Sequence, residues 1–123
     1  MNTSELWIGG KEQKPSTGEY FDDLNPSDLS LIARVAKGNA DDVDAAVNNA
    51  KETFEHFKDA EVRQSEKILC DAASLVERDR EIYMDLLVNE VGSPLMKAAF
   101  EVDYCINAFR AAAGVPRRLV GQT

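Results

Sequence analysis

Few side chains in this sequence belong to the types that commonly act as nucleophiles or bases. His56 is its only histidine, and Cys70 and Cys105 are its two cysteines. A catalytic histidine needs a partner that orients it, and a nucleophilic cysteine needs a helix amino terminus or a cationic neighbour. Each cysteine instead has an aspartate within two residues. We therefore expect an exposed histidine and two reduced, buried or half-buried structural thiols.

Paired carboxylates are the next groups that could do chemistry. The sequence holds three such sets, namely Asp22 with Asp23, Asp41 with Asp42, and Glu101 with Asp103. Carboxylates are mostly exposed on protein surfaces, so we expect solvated acids. The alternative is a hard cation bound through oxygen by the adjacent acids before Asn25.

Glycine-rich phosphate loops are missing from the sequence. Neither G-x-G-x-x-G nor G-x-x-x-x-G-K-[ST] occurs in it, and these are the motifs that cradle nucleotide phosphates. Its cysteine spacing fits neither a zinc site nor a disulfide scaffold. Taken alone, the residues predict no recognisable catalytic constellation.

The first 38 residues have the pattern of short strands separated by turns. Three apolar stretches begin at Leu6, Tyr20 and Leu31, and they are separated by Gly9-Gly10, by Pro15 to Gly18 and by Asn25-Pro26. Three short strands in succession predict a small antiparallel meander.

After Gly38 the apolar residues recur with the helical period of 3.6. Asn39 is suited to the N-cap of a helix from about 40 to 58, with acids in the first turn where the helix dipole favours them. Residues 60–91 continue the pattern as one helix or two, with Asp59 and Asp79 as candidate caps.

Gly92-Ser93-Pro94 marks a break before a last helix. Gly92 suits a left-handed position, Ser93 an N-cap and Pro94 the first helical residue. The helix should end at Gly114. We thus expect a single partial domain of α+β class, with short antiparallel strands and turns (1–38), three to four helices (39–114) and an extended basic tail (115–123).

Composition and charge narrow the classes of function. The chain has 123 residues and a net charge of −8, which argues against binding to nucleic acid or to an anionic membrane surface. It contains no run of about 18 apolar residues, which a membrane-spanning helix needs. Its first residues lack the signal-peptide pattern, so we expect a cytoplasmic protein.

The order of these signals resembles the amino-terminal segment of the NAD(P)-dependent aldehyde dehydrogenase superfamily, from about residue 6 onward. The matching features are Leu6 to Gly10, Asn25-Pro26, Ala33 to Ala36, Ala40 to Val47, Arg63, Gly92 with Pro94, Glu101 to Tyr104, and Ala112 to Gly114. Gly114 to Arg118 is similar to the branch that oxidises aromatic aldehydes such as benzaldehyde or vanillin. Two departures are Ser93, where the family often has lysine, and the turn after Asn25-Pro26, which often carries a glycine in the family and reads Ser27-Asp28-Leu29 here.

The resemblance implies the amino-terminal flank of an α/β cofactor-binding domain, truncated before the catalytic region. The parent enzyme would oxidise an aldehyde to a carboxylic acid with NAD or NADP. The family's nucleophilic cysteine, general base, oxyanion-binding asparagine and cofactor turn all lie beyond residue 123. We therefore assign no catalytic and no cofactor-binding residue, and we expect the chain alone to be inactive and to bind no cofactor.

The resemblance also implies a monovalent cation site. Its ligands would be the main chain at Asp23 and Leu24 and the side chain of Glu90, completed by a residue beyond this chain.

Because apolar stripes line the predicted helices, we expect the chain to associate with the remainder of a dehydrogenase or with itself as a homo-oligomer. The alternatives are a stand-alone helical interaction module and a truncated regulatory paralogue.

Overall fold

A computed structural model of the protein describes residues 2–118. The chain forms two compact units, one reaching to Asp59 and the other beginning at Ala60. The strands are β1 (Thr3–Ser4), β2 (Leu6–Ile8), β3 (Lys11–Gln13), β4 (Tyr20–Leu24) and β5 (Leu31–Ala36). The helices are α1 (Ala40–Phe57), α2 (Val62–Arg78), α3 (Arg80–Val91) and α4 (Leu95–Ala113), followed by a 3-10 turn at Pro116–Arg118. The expected class, short strands followed by helices, is confirmed.

The strands of the first unit form two small sheets rather than a meander. One sheet has the order β1-β5-β4, with β4 antiparallel and β1 parallel to β5, and the other is the antiparallel hairpin β2-β3. The predicted meander is wrong because Gly9 and Gly10 both have positive φ and turn β2 back onto β3. A two-residue turn with both φ values positive matches the twist of a hairpin, so β2 pairs locally.

The hairpin that joins β4 to β5 contains an unusual backbone conformation. Leu29 has a φ of +62°, and it is the only non-glycine residue with positive φ in the part of the chain that the structure describes. Its N–H donates to the Asn25 carbonyl at 2.8 Å, and the Asn25 N–H donates to the Ser30 carbonyl at 2.9 Å. These bonds hold the turn closed around a leucine.

Helix α1 confirms the predicted span and N-cap. Asn39 has extended backbone dihedrals and caps the helix, and Asp41 and Asp42 lie in its first turn. No residue of α1 is buried, and the apolar stripe of the helix stands open, with Val43 and Val47 each 59% exposed. A helix with this pattern normally buries its stripe against other protein.

In the second unit, residues 60–91 form two helices rather than one. The chain leaves helical geometry at Asp79, where φ is −97° and ψ is 20°, so α2 and α3 are separate helices. Asp59 does not cap α2, because Glu61 occupies the N-cap position and makes no capping hydrogen bond. Asp79 makes no side-chain cap either, since its carboxylate accepts hydrogen bonds from the Arg78 guanidinium.

The break before α4 follows the prediction with a shift of one residue. Gly92 adopts a left-handed conformation with a φ of +68°, as expected. Pro94, rather than Ser93, is the N-cap, and Leu95 is the first helical residue. Ser93 is buried, and its hydroxyl accepts a hydrogen bond from Lys97 Nζ at 3.1 Å.

The core of the second unit is small and aliphatic, in keeping with a chain of which only 7% is aromatic. Ala73 of α2 packs with Val102 and Ile106 of α4, and these three side chains are all buried. Small residues let two helices approach closely, which explains why Ala73 is only 1% exposed. This contact joins α2 to α4, and α3 packs on α4 beside it.

The carboxyl-terminal segment departs from the predicted extended tail. Pro116–Arg118 form a 3-10 turn, and the Arg118 N–H donates to the Val115 carbonyl at 2.8 Å. Residues 119–123 lie outside the described residues, so the prediction for that part of the tail stays a prediction. Among residues 2–118, no helix has the length and apolar character to cross a bilayer.

Candidate functional site

The histidine and the two cysteines lie on three different helices, α1, α2 and α4. His56 lies exposed in the last turn of α1, as expected. Cys105 is half-buried on α4, as expected, but Cys70 is exposed on α2, so the prediction of a buried or half-buried thiol is wrong there. Cys70 borders a surface recess whose other lining residues, Arg63 and Lys67 among them, are all polar or charged, so no apolar side chain of that recess covers the thiol.

Several of the paired carboxylates have partners within the chain. Asp22 forms an ion pair with Arg34 at 3.6 Å, and Glu101 pairs with Lys97 at 2.9 Å. Asp103 pairs with Arg80, and the Asp42 carboxylate accepts hydrogen bonds from the N–H groups of Asn39 and Ser16. Within residues 2–118, no cluster of three or more histidine, cysteine, aspartate or glutamate side chains is suited to hold a metal ion.

Two of these carboxyl groups have perturbed acidity with a clear cause. The backbone N–H of Asn39, followed by that of Ser16, holds the pKa of Asp42 below its ordinary value. The Arg80 guanidinium lowers the pKa of Asp103 through hydrogen bonds and charge. Both effects stabilise a structural carboxylate, and neither prepares a general base near neutral pH.

The amino terminus of α1 does not fit a nucleotide phosphate. Helix α1 directly follows β5, which is where an anion-binding turn would lie in an α/β unit. The Asp42 N–H, however, already donates to the Asn39 side chain, and the Asp42 carboxylate accepts from the N–H groups of Asn39 and Ser16, each at 3.0 Å. A phosphate there would meet carboxylates, so no described residue is assigned to NAD or NADP.

The predicted cation ligands belong to different units. Asp23 and Leu24 end strand β4, at a point where the pairing register with β5 shifts. Glu90 is exposed near the end of α3, and it has no ion-pair partner among residues 2–118. An unpaired carboxylate and a strand end with irregular pairing are compatible with oxygen ligands, and the site stays a prediction.

A feature that the sequence analysis did not single out is a cavity of about 480 Å³ between α2, α3 and α4. Its more buried lining consists of Val76, Leu87, Val102 and Cys105. The signal that could have revealed it is the second apolar face of α3 and α4, since one helix cannot bury two faces against a single neighbour.

Comparison with known proteins identifies the family. The chain matches the aldehyde dehydrogenase family over residues 13–123. Retinaldehyde dehydrogenase 3 from Rattus norvegicus is 32% identical over 98% of this chain and 24% of its own length. Benzaldehyde dehydrogenase YfmT from Bacillus subtilis (strain 168) is 30% identical over 97% of this chain and 24% of its own length.

The fold agrees with that of solved relatives. The crystal structure of an NAD-dependent benzaldehyde dehydrogenase from Corynebacterium glutamicum superposes with a TM-score of 0.93 and 29% sequence identity, covering 97% of this chain and 26% of that one. The chain thus spans about a quarter of the length of the relatives that it matches. On the family match and this agreement of fold, the chain belongs to the aldehyde dehydrogenase family.

Proposed function

We propose that this chain forms the amino-terminal flank of the cofactor-binding domain of an enzyme that oxidises an aldehyde to a carboxylic acid with NAD(P)+. The supporting observation is the superposition on the Corynebacterium glutamicum enzyme along 97% of the chain. The proposed reaction converts an aldehyde, NAD(P)+ and water into a carboxylate, NAD(P)H and two protons, so the aldehyde carbon loses a hydride to the cofactor and gains an oxygen from water.

The chain by itself is proposed to be inactive and to bind no nucleotide. Cys70 is exposed and Cys105 lines an apolar cavity, and no histidine accompanies either thiol on its helix. A nucleophilic cysteine requires an activating base or a cationic setting that holds the thiolate. The recess beside Cys70 does hold cations, but Lys67 is paired with Asp71 and Arg117 with Glu66, so these charges are already neutralised and do not hold a thiolate. The role of this chain is therefore to support the cofactor-binding domain.

Aromatic aldehydes are the proposed substrate class. The segment from Gly114 to Arg118 is similar to the family branch that oxidises aromatic aldehydes. Benzaldehyde dehydrogenases are also among the sequence relatives and the solved structures that resemble the chain. Their names state what those proteins oxidise, and the same class is proposed for the enzyme to which this chain contributes.

A monovalent cation is proposed to bind the main chain at Asp23 and Leu24 and the side chain of Glu90. The carboxylate of Glu90 lacks an ion-pair partner in the described part of the chain, which leaves it available to a cation. In a fused enzyme of the kind described below, potassium chloride should raise the melting temperature above that in choline chloride. Glu90→Gln should remove the difference, and an equal difference in that variant would contradict the site.

The proposed partners are the remainder of a dehydrogenase and further copies of the chain, and the proposed location is the cytoplasm. The apolar stripe of α1, with Val43 and Val47 open to solvent, supports association with more protein. A relative from Elephantulus edwardii, 28% identical over 98% of the chain, is a cytosolic aldehyde dehydrogenase, and the cytoplasm is proposed for this chain by analogy with it.

A fusion tests the function. This chain replaces the matching quarter of the Corynebacterium glutamicum benzaldehyde dehydrogenase, and NADH formation is followed with benzaldehyde and NAD+. We expect benzaldehyde-dependent NADH from the fusion and none from the 123-residue chain alone. NADH from the chain alone would contradict its inactivity. A folded fusion without activity would favour an interaction module or a regulatory paralogue.

A further inference from the structure

We draw no further inference here: the strongest candidate, the exposed surface patch that the stacked rings of Phe100 and Tyr104 form on α4, carries none, because nothing in the described part of the chain shows what covers it.

Discussion

Asn39 and Asp42 cap the first helix reciprocally. The Asn39 side chain accepts a hydrogen bond from the Asp42 N–H, and the Asp42 carboxylate accepts one from the Asn39 N–H, both at 3.0 Å. Two backbone donors that the helix leaves unpaired are satisfied by this exchange. The Ser16 N–H adds a third bond to Asp42, which ties the loop before β4 to the start of α1.

Removal of the Asn39 side chain should destabilise the first unit. We expect Asn39→Ala to lower the free energy of unfolding by about 1 kcal/mol, because the Asp42 N–H loses its acceptor. Asn48→Ala is the control, since Asn48 is an exposed asparagine inside the same helix. Denaturant unfolding followed by circular dichroism measures both. Asn48→Ala should not lower the free energy of unfolding, because alanine favours a helix interior more than asparagine does, and a loss as large in that variant would show that the effect does not come from the cap.

The cap should make stability depend on pH in the acid range. The Asn39 N–H lowers the pKa of Asp42 in the folded protein below its ordinary value of 3.8. The stabilisation is therefore complete above the ordinary pKa and is lost as the pH falls through the lower, folded pKa. The advantage of the natural chain over Asp42→Asn should disappear across that window. Asp44→Asn removes a charge from the same helix without removing a cap. If the stability of Asp44→Asn changed with pH in the same way as that of Asp42→Asn, the pH dependence would not come from the cap.

The leucine at position 29 should lower the free energy of unfolding, because its backbone is held in the left-handed region. An L-residue in the left-handed region is disfavoured by about 1–2 kcal/mol. Replacement by glycine removes this penalty, but about half of the gain is lost because glycine has more conformational freedom in the unfolded chain. The side chain is 71% exposed, so little packing is lost on its removal. We expect Leu29→Gly to raise the free energy of unfolding by about 0.5–1 kcal/mol. Leu31→Gly, in strand β5, should lower it, and a rise in both variants would contradict the argument.

Helix spans and some of the helix ends could be predicted because their signals are local. Asn39, Gly92 and Gly114 mark ends that depend on neighbours within one turn, and each boundary lies where the pattern placed it or within one residue. The pairing of strands is not local. Nothing in Thr3–Ser4 indicates a parallel partner in β5. Together with the hairpin of β2 and β3, this pairing gives two separate sheets in place of the predicted meander.

The candidate site was less predictable for the same reason. The burial of Cys105 follows from the face of α4 that packs on α2, whereas Cys70 lies at the edge of its apolar stripe and is exposed. A helical period alone does not say which edge of a stripe is covered, because that depends on the neighbouring helix. The cavity depends on three helices at once, and no single segment indicates it.

The small core of the second unit should tolerate little truncation. Ile106 is 4% exposed and packs with Ala73 and Val102, so Ile106→Ala should lower the free energy of unfolding by about 2–4 kcal/mol. Met96→Ala on the same helix removes a side chain that is 88% exposed, and it should change the value by less than about 0.5 kcal/mol. Urea unfolding of both variants tests this. A similar cost for the two would mean that this cluster is not the core of the unit.

The open stripe of α1 should cause the 123-residue chain to self-associate. Its exposed apolar side chains include Val43, Val47 and Phe54, and contact with a second copy would remove them from water. We expect the average mass from static light scattering to rise with concentration, and Val47→Lys to reduce that rise. Asn48→Lys introduces the same charge at the adjacent position, one step off the stripe, and should leave it nearly unchanged. A compact monomer at high concentration would contradict the prediction, and equal effects of the two lysines would assign the change to net charge instead.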